Sequence, residues 1–133
     1  MNAEISIEVR GRIQQAEDAL KAVDALLKER LWRDAFNRSY YAMFYGVLAL
    51  LAWKGLGTSK HSGAIAFFDR EFVKTGAFGK ETSEALHKAF EGRLEADYDQ
   101  ICSLGEEDTM TMAGQARHFV GIVSDYLRRQ GVI

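Results

Sequence analysis

The sequence predicts an all-α protein: an up-and-down bundle of four main helices with an additional short helix, forming a single domain over residues 1–133. Three observations lead there. Pro is absent from all 133 residues, whereas an all-β fold of this size places several prolines in turns and at edges. Apolar residues recur at steps of three and four through five successive segments. The links between those segments are short, which makes neighbouring helices antiparallel.

The first segment runs from about Glu4 to Arg30. Ile5, Val9, Ile13, Ala16, Leu20, Val23 and Leu27 form one apolar stripe along it. The second, about Leu31 to Lys54, is apolar on nearly all sides between Tyr40 and Trp53. Such a helix belongs at the centre of a bundle or between subunits. Burying it on every side within one short chain is difficult, so a homodimer through the second helix is expected. Gly46 costs about 1 kcal/mol relative to Ala inside a helix, which suggests close approach of another backbone there. Gly55-Leu56-Gly57-Thr58 ends the segment, with Trp32 and Trp53 packing at its two ends.

The third segment runs from about Lys60 to Lys74, with Ile65, Phe68 and Phe72 on one face. Thr58 or Ser59 is its expected N-cap, and Gly76 and Gly79 mark its exit. The fourth runs from about Glu81 to Ile101 on a stripe of Leu86, Phe90, Leu94, Tyr98 and Ile101. The fifth runs from about Leu104 to Gln130. Ser103-Leu104-Gly105-Glu106 reads as its capping box, and Ala113, Ala116, Val120, Val123 and Leu127 form its inner face.

Composition narrows the function. Apolar residues make up 47% and charged residues 27%, which excludes a disordered chain. The single Cys102 excludes a disulfide framework and a Cys-based zinc site. A net charge of −2 excludes a generic polyanion binder. The charge is uneven, however. Lys28 to Lys60 holds six basic residues against two acids, and Glu91 to Asp108 holds seven acids against Arg93 alone. Complementary packing of helices explains this, and so does a locally positive cleft for a phosphate. Met1-Asn2-Ala3-Glu4-Ile5 lacks the basic and apolar regions of a signal peptide. The longest uncharged stretch, Ser39 to Trp53, has 15 residues, short of the ~20 that span a bilayer. A cytoplasmic protein without a membrane segment is expected.

Gly-rich phosphate loops, nucleophile elbows and HExxH pairs are missing. Glu84-Ala85-Leu86-His87 matches a carboxylate-bridged metal pattern once, where two copies are needed, so neither a metal nor another cofactor is expected. The informative stretch is Asn37-Arg38-Ser39-Tyr40-Tyr41-Ala42-Met43-Phe44-Tyr45. Arg38 and Tyr45 lie two turns apart on one face, with Ala42 between them leaving room. An Arg at the start of so apolar a segment requires a carboxylate, a phosphate or water. Tyr40 and Tyr41 read more readily as core residues than as stacking platforms. His61 reads as packing its turn or as a proton carrier whose pKa a helix N-terminus and Lys60 would depress. His87 and His118 read as surface or structural residues. Arg93 and Asp97 are four apart and can pair, locking the fourth segment against the second.

Three blocks together, Arg38-Ser39-Tyr40-Tyr41-Ala42-Met43-Phe44, Lys60-His61-Ser62-Gly63 and Arg93-Leu94-Glu95-Ala96-Asp97-Tyr98, resemble the HEPN domain. More narrowly, they are similar to its small stand-alone prokaryotic branch, from about Ile5 to Leu127. The resemblance implies a helical bundle that dimerises through its second helix, often beside a minimal nucleotidyltransferase partner. It also implies nucleotide binding or metal-independent RNA cleavage by an Arg-x(4–6)-His motif. Here Tyr45 stands where active members carry His. A histidine near pKa 6.5 serves as acid or base, whereas a phenol near pKa 10 is a poor base at neutral pH.

Three readings follow. The first is a module that binds a nucleotide or RNA phosphate, or docks the nucleotidyltransferase, through Asn37, Arg38, Tyr41, Lys60, Asp97 and Tyr98. The second is a toxin-type endoribonuclease using Arg38 with Tyr45 or His61. The third is a ligand-free scaffold in which Arg38 pairs with Asp97 or Asp34.

Overall fold

A computed structural model describes residues 3–58, 60–98 and 104–133, the side chains of 95–98 excepted. The order is α1 (Ala3–Lys28), α2 (Trp32–Trp53), α3 (His61–Phe68), α4 (Lys80–Tyr98) and α5 (Glu106–Arg129), with a π-helical turn over Asp69–Val73 continuing α3. Among the described residues there is no strand. The all-α expectation holds, and the helix bounds agree with the sequence pattern to within a few residues.

α1 buries Val9, Ile13, Ala16, Ala19 and Val23 along most of the length of α2. It ends where Arg30 takes a left-handed conformation, φ 58°. The amides of Arg30 and Leu31 then reach back to the carbonyls of Leu27 and Leu26, which closes the helix and reverses the chain. Gly55 (φ 71°) and Gly131 (φ 74°) end α2 and α5 with the same bond pattern.

α2 lies at the centre, packed by α1, α3, α4 and α5. One chain covers most of this helix, though not every side of it. Ala35, Phe36, Ser39, Tyr40, Ala42, Met43, Phe44, Gly46, Val47, Ala49, Leu50, Leu51 and Ala52 are all buried within the monomer. Four other helices supply the apolar surface that covers these residues. Along the length between its ends, Arg38, Tyr41, Tyr45 and Leu48 stay half-buried. Their spacing of three, four and three residues makes them a single stripe.

Gly46 is not a point of backbone approach. A Cβ there would meet Phe119 at 3.6 Å and Val123 at 3.9 Å, an ordinary contact with side chains of α5. The close approach lies at Gly92, where a Cβ would collide with the ring of Phe36, itself 3% exposed. Gly92 therefore lets α4 settle against the first turns of α2.

The π turn arises where the Lys74 amide reaches the Asp69 carbonyl at 2.8 Å, one residue beyond the α-helical partner. Asp69 then faces α4, accepting from Ser83 Oγ at 2.7 Å and meeting His87 Nε2 at 2.6 Å. Phe67, Phe68, Phe72, Phe78, Phe119 and Tyr126 fill the core beyond it. Trp53 packs there on Phe72 and Tyr126.

Two expected caps are corrected. The α5 N-cap is Gly105, with no side-chain cap bond, and Ser103 lies outside the described residues. Lys60 precedes α3, and Thr58 Oγ1 accepts its amide at 3.1 Å, steadying the turn before the helix rather than capping it. Ser59 is also outside the described residues. Arg30 pairs with Glu106 at 3.7 Å, joining the basic stretch to the acidic one. Both side chains are exposed, so the pair adds little stability. Among the described residues no helix is long and apolar enough to cross a membrane.

Candidate functional site

The half-buried stripe of α2 begins at Arg38. Its guanidinium lies 4.6 Å from the centroid of the Tyr41 ring, a cation held on an aromatic face. The filler between Arg38 and Tyr45 is Tyr41, not Ala42. Ala42 is fully buried, because a step of four residues turns it toward the core, while a step of three turns Tyr41 toward the open side. Tyr45 follows, tilted against Tyr41 with ring centroids 6.0 Å apart. Among the described residues Arg38 forms no ion pair, so the pairing with Asp34 expected of a scaffold is absent. Asn37 is half-buried one residue earlier.

The opposite wall comes from α3 and α4. The Gly-rich turn after α2 brings the chain back so that His61, the first residue of α3, stacks on Phe44. The two rings are 4.0 Å apart and parallel to within 2°. The Tyr40 hydroxyl lies 2.6 Å from His61 Nδ1. Tyr41 meets the same imidazole edge-on. From α4, the Arg93 guanidinium covers Tyr40 at 5.2 Å, Phe90 at 5.8 Å and Tyr41 at 5.9 Å. Two cations thus sit on one aromatic cluster, with an imidazole in its wall.

The electrostatics follow from burial. The His61 pKa falls below 6.5, first because its surroundings disfavour the charged ring and second because Arg93 is nearby. The expected causes, a helix terminus and Lys60, are replaced by these two. Burial raises the Tyr40 phenol well above its usual range, partly offset by Arg93. At neutral pH the cluster therefore holds a neutral imidazole and an intact phenol beside two guanidinium groups.

The structure gathers Arg38, Tyr41, Tyr45 and His61 at this face. Lys60 is exposed immediately before His61. The side chains of Asp97 and Tyr98 lie outside the described residues, and so does Cys102. Tyr40 is fully buried, as expected of a core tyrosine, whereas Tyr41 is half-buried. His118 is exposed, and His87 is exposed and held by Asp69. Among the described residues no group of three or more His, Cys, Asp or Glu converges to hold a metal.

Sequence reasoning missed three members: Phe44, the Tyr40–His61 contact, and Arg93 as a cover for the aromatic cluster. The signal existed in part. Tyr40 with Phe44 and Phe90 with Arg93 share helix faces by spacing alone. The contact across the turn to His61 is tertiary and has no local signature.

The chain has relatives among known proteins. A "UPF0332 protein" of Thermotoga maritima is 41% identical over 110 residues, 83% of each chain. Two Methanocaldococcus jannaschii proteins carry the names "Putative toxin MJ0142" and "Putative toxin MJ0605". The former is 32% identical over 126 residues, 95% of this chain and 86% of its own. The latter is 33% identical over 128 residues, 96% of this chain and 95% of its own. The HEPN domain model matches residues 9–126, from the first buried turn of α1 almost to the end of α5, and the chain belongs to the HEPN domain family.

Proposed function

We propose that this protein binds an RNA or nucleotide phosphate at Arg38 and does so without robust cleavage. One observation carries the reading: a half-buried arginine that forms no ion pair among the described residues rests on an aromatic ring beside a second cation. A guanidinium so placed offers its free edge to a phosphate, and bidentate contact suits that geometry. Tyr41 and Tyr45 give flat surfaces for stacking next to it. Tyr45 in place of a histidine removes the proton carrier that RNA cleavage at this point requires.

A second reading is a toxin-type endoribonuclease. Two observations favour it: the names carried by the Methanocaldococcus relatives, and a His61 oriented by Tyr40 in the manner of a general base steadied by a third group.

The site is proposed to be shared in a homodimer through α2. Arg38, Tyr41, Tyr45 and Leu48 form a stripe that the monomer leaves part-covered on that helix. A nucleotidyltransferase docked on the same face would occlude Arg38, which is the partner arrangement the reading allows.

The test is binding of a fluorescent single-stranded RNA in EDTA, with the RNA analysed on a gel afterwards. The wild-type protein is expected to bind and leave the RNA intact. Arg38→Ala is expected to bind about tenfold or more weakly. Equal affinity of the two proteins overturns the reading, and Arg38-dependent cleavage with 2′,3′-cyclic phosphate ends replaces it with the second.

A further inference from the structure

The hydrogen-bond direction between Tyr40 and His61 decides what the imidazole can do. Tyr40 is fully buried. Its ring is surrounded by Tyr41, Phe44, Phe90 and the Arg93 guanidinium. The aromatic rings offer only weak acceptors, and a guanidinium offers donors alone. If His61 Nδ1 carried the proton, the phenol would have to accept it, and among the described residues its own O–H would have no other acceptor, at a cost larger than the bond itself contributes. The arrangement that satisfies both groups has the phenol donating to Nδ1.

The remaining hydrogen of the neutral ring must then sit on Nε2. That nitrogen lies on the side of the ring away from the Tyr40 bond, and His61 as a residue is half-buried. The parallel stack on Phe44 and the edge contact with Tyr41 fix the ring plane. Turning the ring over would place a carbon against the buried hydroxyl. The low pKa of His61 keeps the ring neutral as Arg93 faces it. Lys60, next to it in the chain, adds no proton acceptor.

We infer that His61 is a fixed, neutral Nε2–H donor to a phosphoryl oxygen held by Arg38, a positioning and specificity residue rather than a proton-abstracting base. This rests on the reading of the Arg38 face as a phosphate site, and it goes further by assigning the imidazole one atom and one role. A base needs a lone pair at the outer nitrogen, and Tyr40 uses the inner one. His61 is therefore poorly suited to take the 2′-hydroxyl proton, in line with binding without cleavage.

The experiment uses the intact protein, labelled with 15N-histidine, and uridine 3′-monophosphate as the probe. Long-range proton–nitrogen correlation at pH 7.5 is expected to show His61 protonated at Nε2 and unprotonated at Nδ1. The opposite tautomer, or an imidazolium, overturns the proposal before any ligand is added. Titration with the nucleotide is expected to shift the Nε2–H signal in step with binding followed on the nucleotide's 31P resonance. Binding with the His61 signals unmoved overturns the donor role and leaves the phosphate site standing. No binding removes both. Two variants separate a donor from a packing residue. His61→Gln places an amide N–H near the Nε2 position and is expected to hold affinity within about threefold, while His61→Asn reaches only the Nδ1 position and is expected to lose about tenfold. Equal affinities of the two variants overturn the proposal.

Discussion

The hydroxyl of Tyr40 and Nδ1 of His61 meet at 2.6 Å, joining the middle of α2 to the first residue of α3 across 21 positions of chain. Tyr40 is fully buried, so this bond satisfies a group that water cannot reach. Tyr40→Phe keeps the ring and removes the bond. It is expected to lower stability by about 1 kcal/mol in urea unfolding, with the helical circular dichroism of the folded state unchanged. An unchanged midpoint would show that the contact contributes nothing.

The depressed pKa of His61 makes stability pH-dependent. The ring binds a proton less readily folded than unfolded, so between its folded pKa and 6.5 the unfolded chain holds more protons. Stability from this group is complete above pH 6.5 and is lost as pH falls toward and below the folded pKa. Melting temperatures from pH 7.5 to 5 are expected to fall more steeply for the wild type than for His61→Gln. Parallel curves would remove the argument. The two proteins differ at residue 61 alone, so the difference isolates His61.

The two glycines facing neighbouring helices should respond in opposite directions. At Gly46 a methyl meets Phe119 and Val123 at ordinary distance, so Gly46→Ala is expected to stabilise by about 0.5–1 kcal/mol. At Gly92 the same methyl collides with Phe36, a core side chain that must move to make room. Gly92→Ala is expected to cost about 1–3 kcal/mol, and Phe36→Leu in the same chain is expected to recover part of it. Denaturant midpoints of the four proteins measure both effects.

These glycines also show what was legible in advance. The stripe of α1, the buried character of α2 and the turns at Gly55 and Gly76 follow from local periodicity and backbone freedom, so they were readable. Gly46 was misjudged because a glycine in an apolar helix looks the same whether it faces a backbone or a side chain. Gly92 sits among charged residues and gave no sign of contact. In the site, the seven-residue spacing placed Arg38 and Tyr45 on one face correctly. The choice between Tyr41 and Ala42 as the filler turned on which side of the helix faced the core, and only packing sets that. The fall in the His61 pKa was anticipated, but its causes were not, since Arg93 arrives from another helix.

The proposed dimer can be tested at Leu48, the stripe residue farthest from Arg38. It is half-buried in the monomer, and a dimer through α2 would bury it fully. Leu48→Glu is expected to convert a dimer into a monomer in sedimentation velocity, because an unpaired carboxylate in an apolar interface costs several kcal/mol. Its melting temperature at a concentration where both proteins are monomeric is expected to change little. A wild-type protein that sediments as a monomer at all concentrations would dispose of the dimer.

The place of Tyr45 leads to the sharpest functional prediction. It shares the half-buried stripe with Arg38 and leans on Tyr41, so a side chain there would face a phosphate held by the guanidinium as proposed. A phenol supplies a hydrogen bond but not a base at neutral pH. Tyr45→His puts an imidazole at that position, where it has neither the Tyr40 bond nor the Phe44 stack that constrain His61. Its tautomer is free, so it can take a proton and return it. With RNA in EDTA the wild type is expected to leave the strand intact. Tyr45→His is expected to cleave it at least about a hundredfold faster, the low end of what a positioned acid–base group contributes. Adding Arg38→Ala to Tyr45→His should abolish that gain, since the cation must hold the phosphate while the proton moves. Cleavage by the wild type, lost in His61→Gln, would move the chemistry to the imidazole of α3 and reverse the assignment of the two residues.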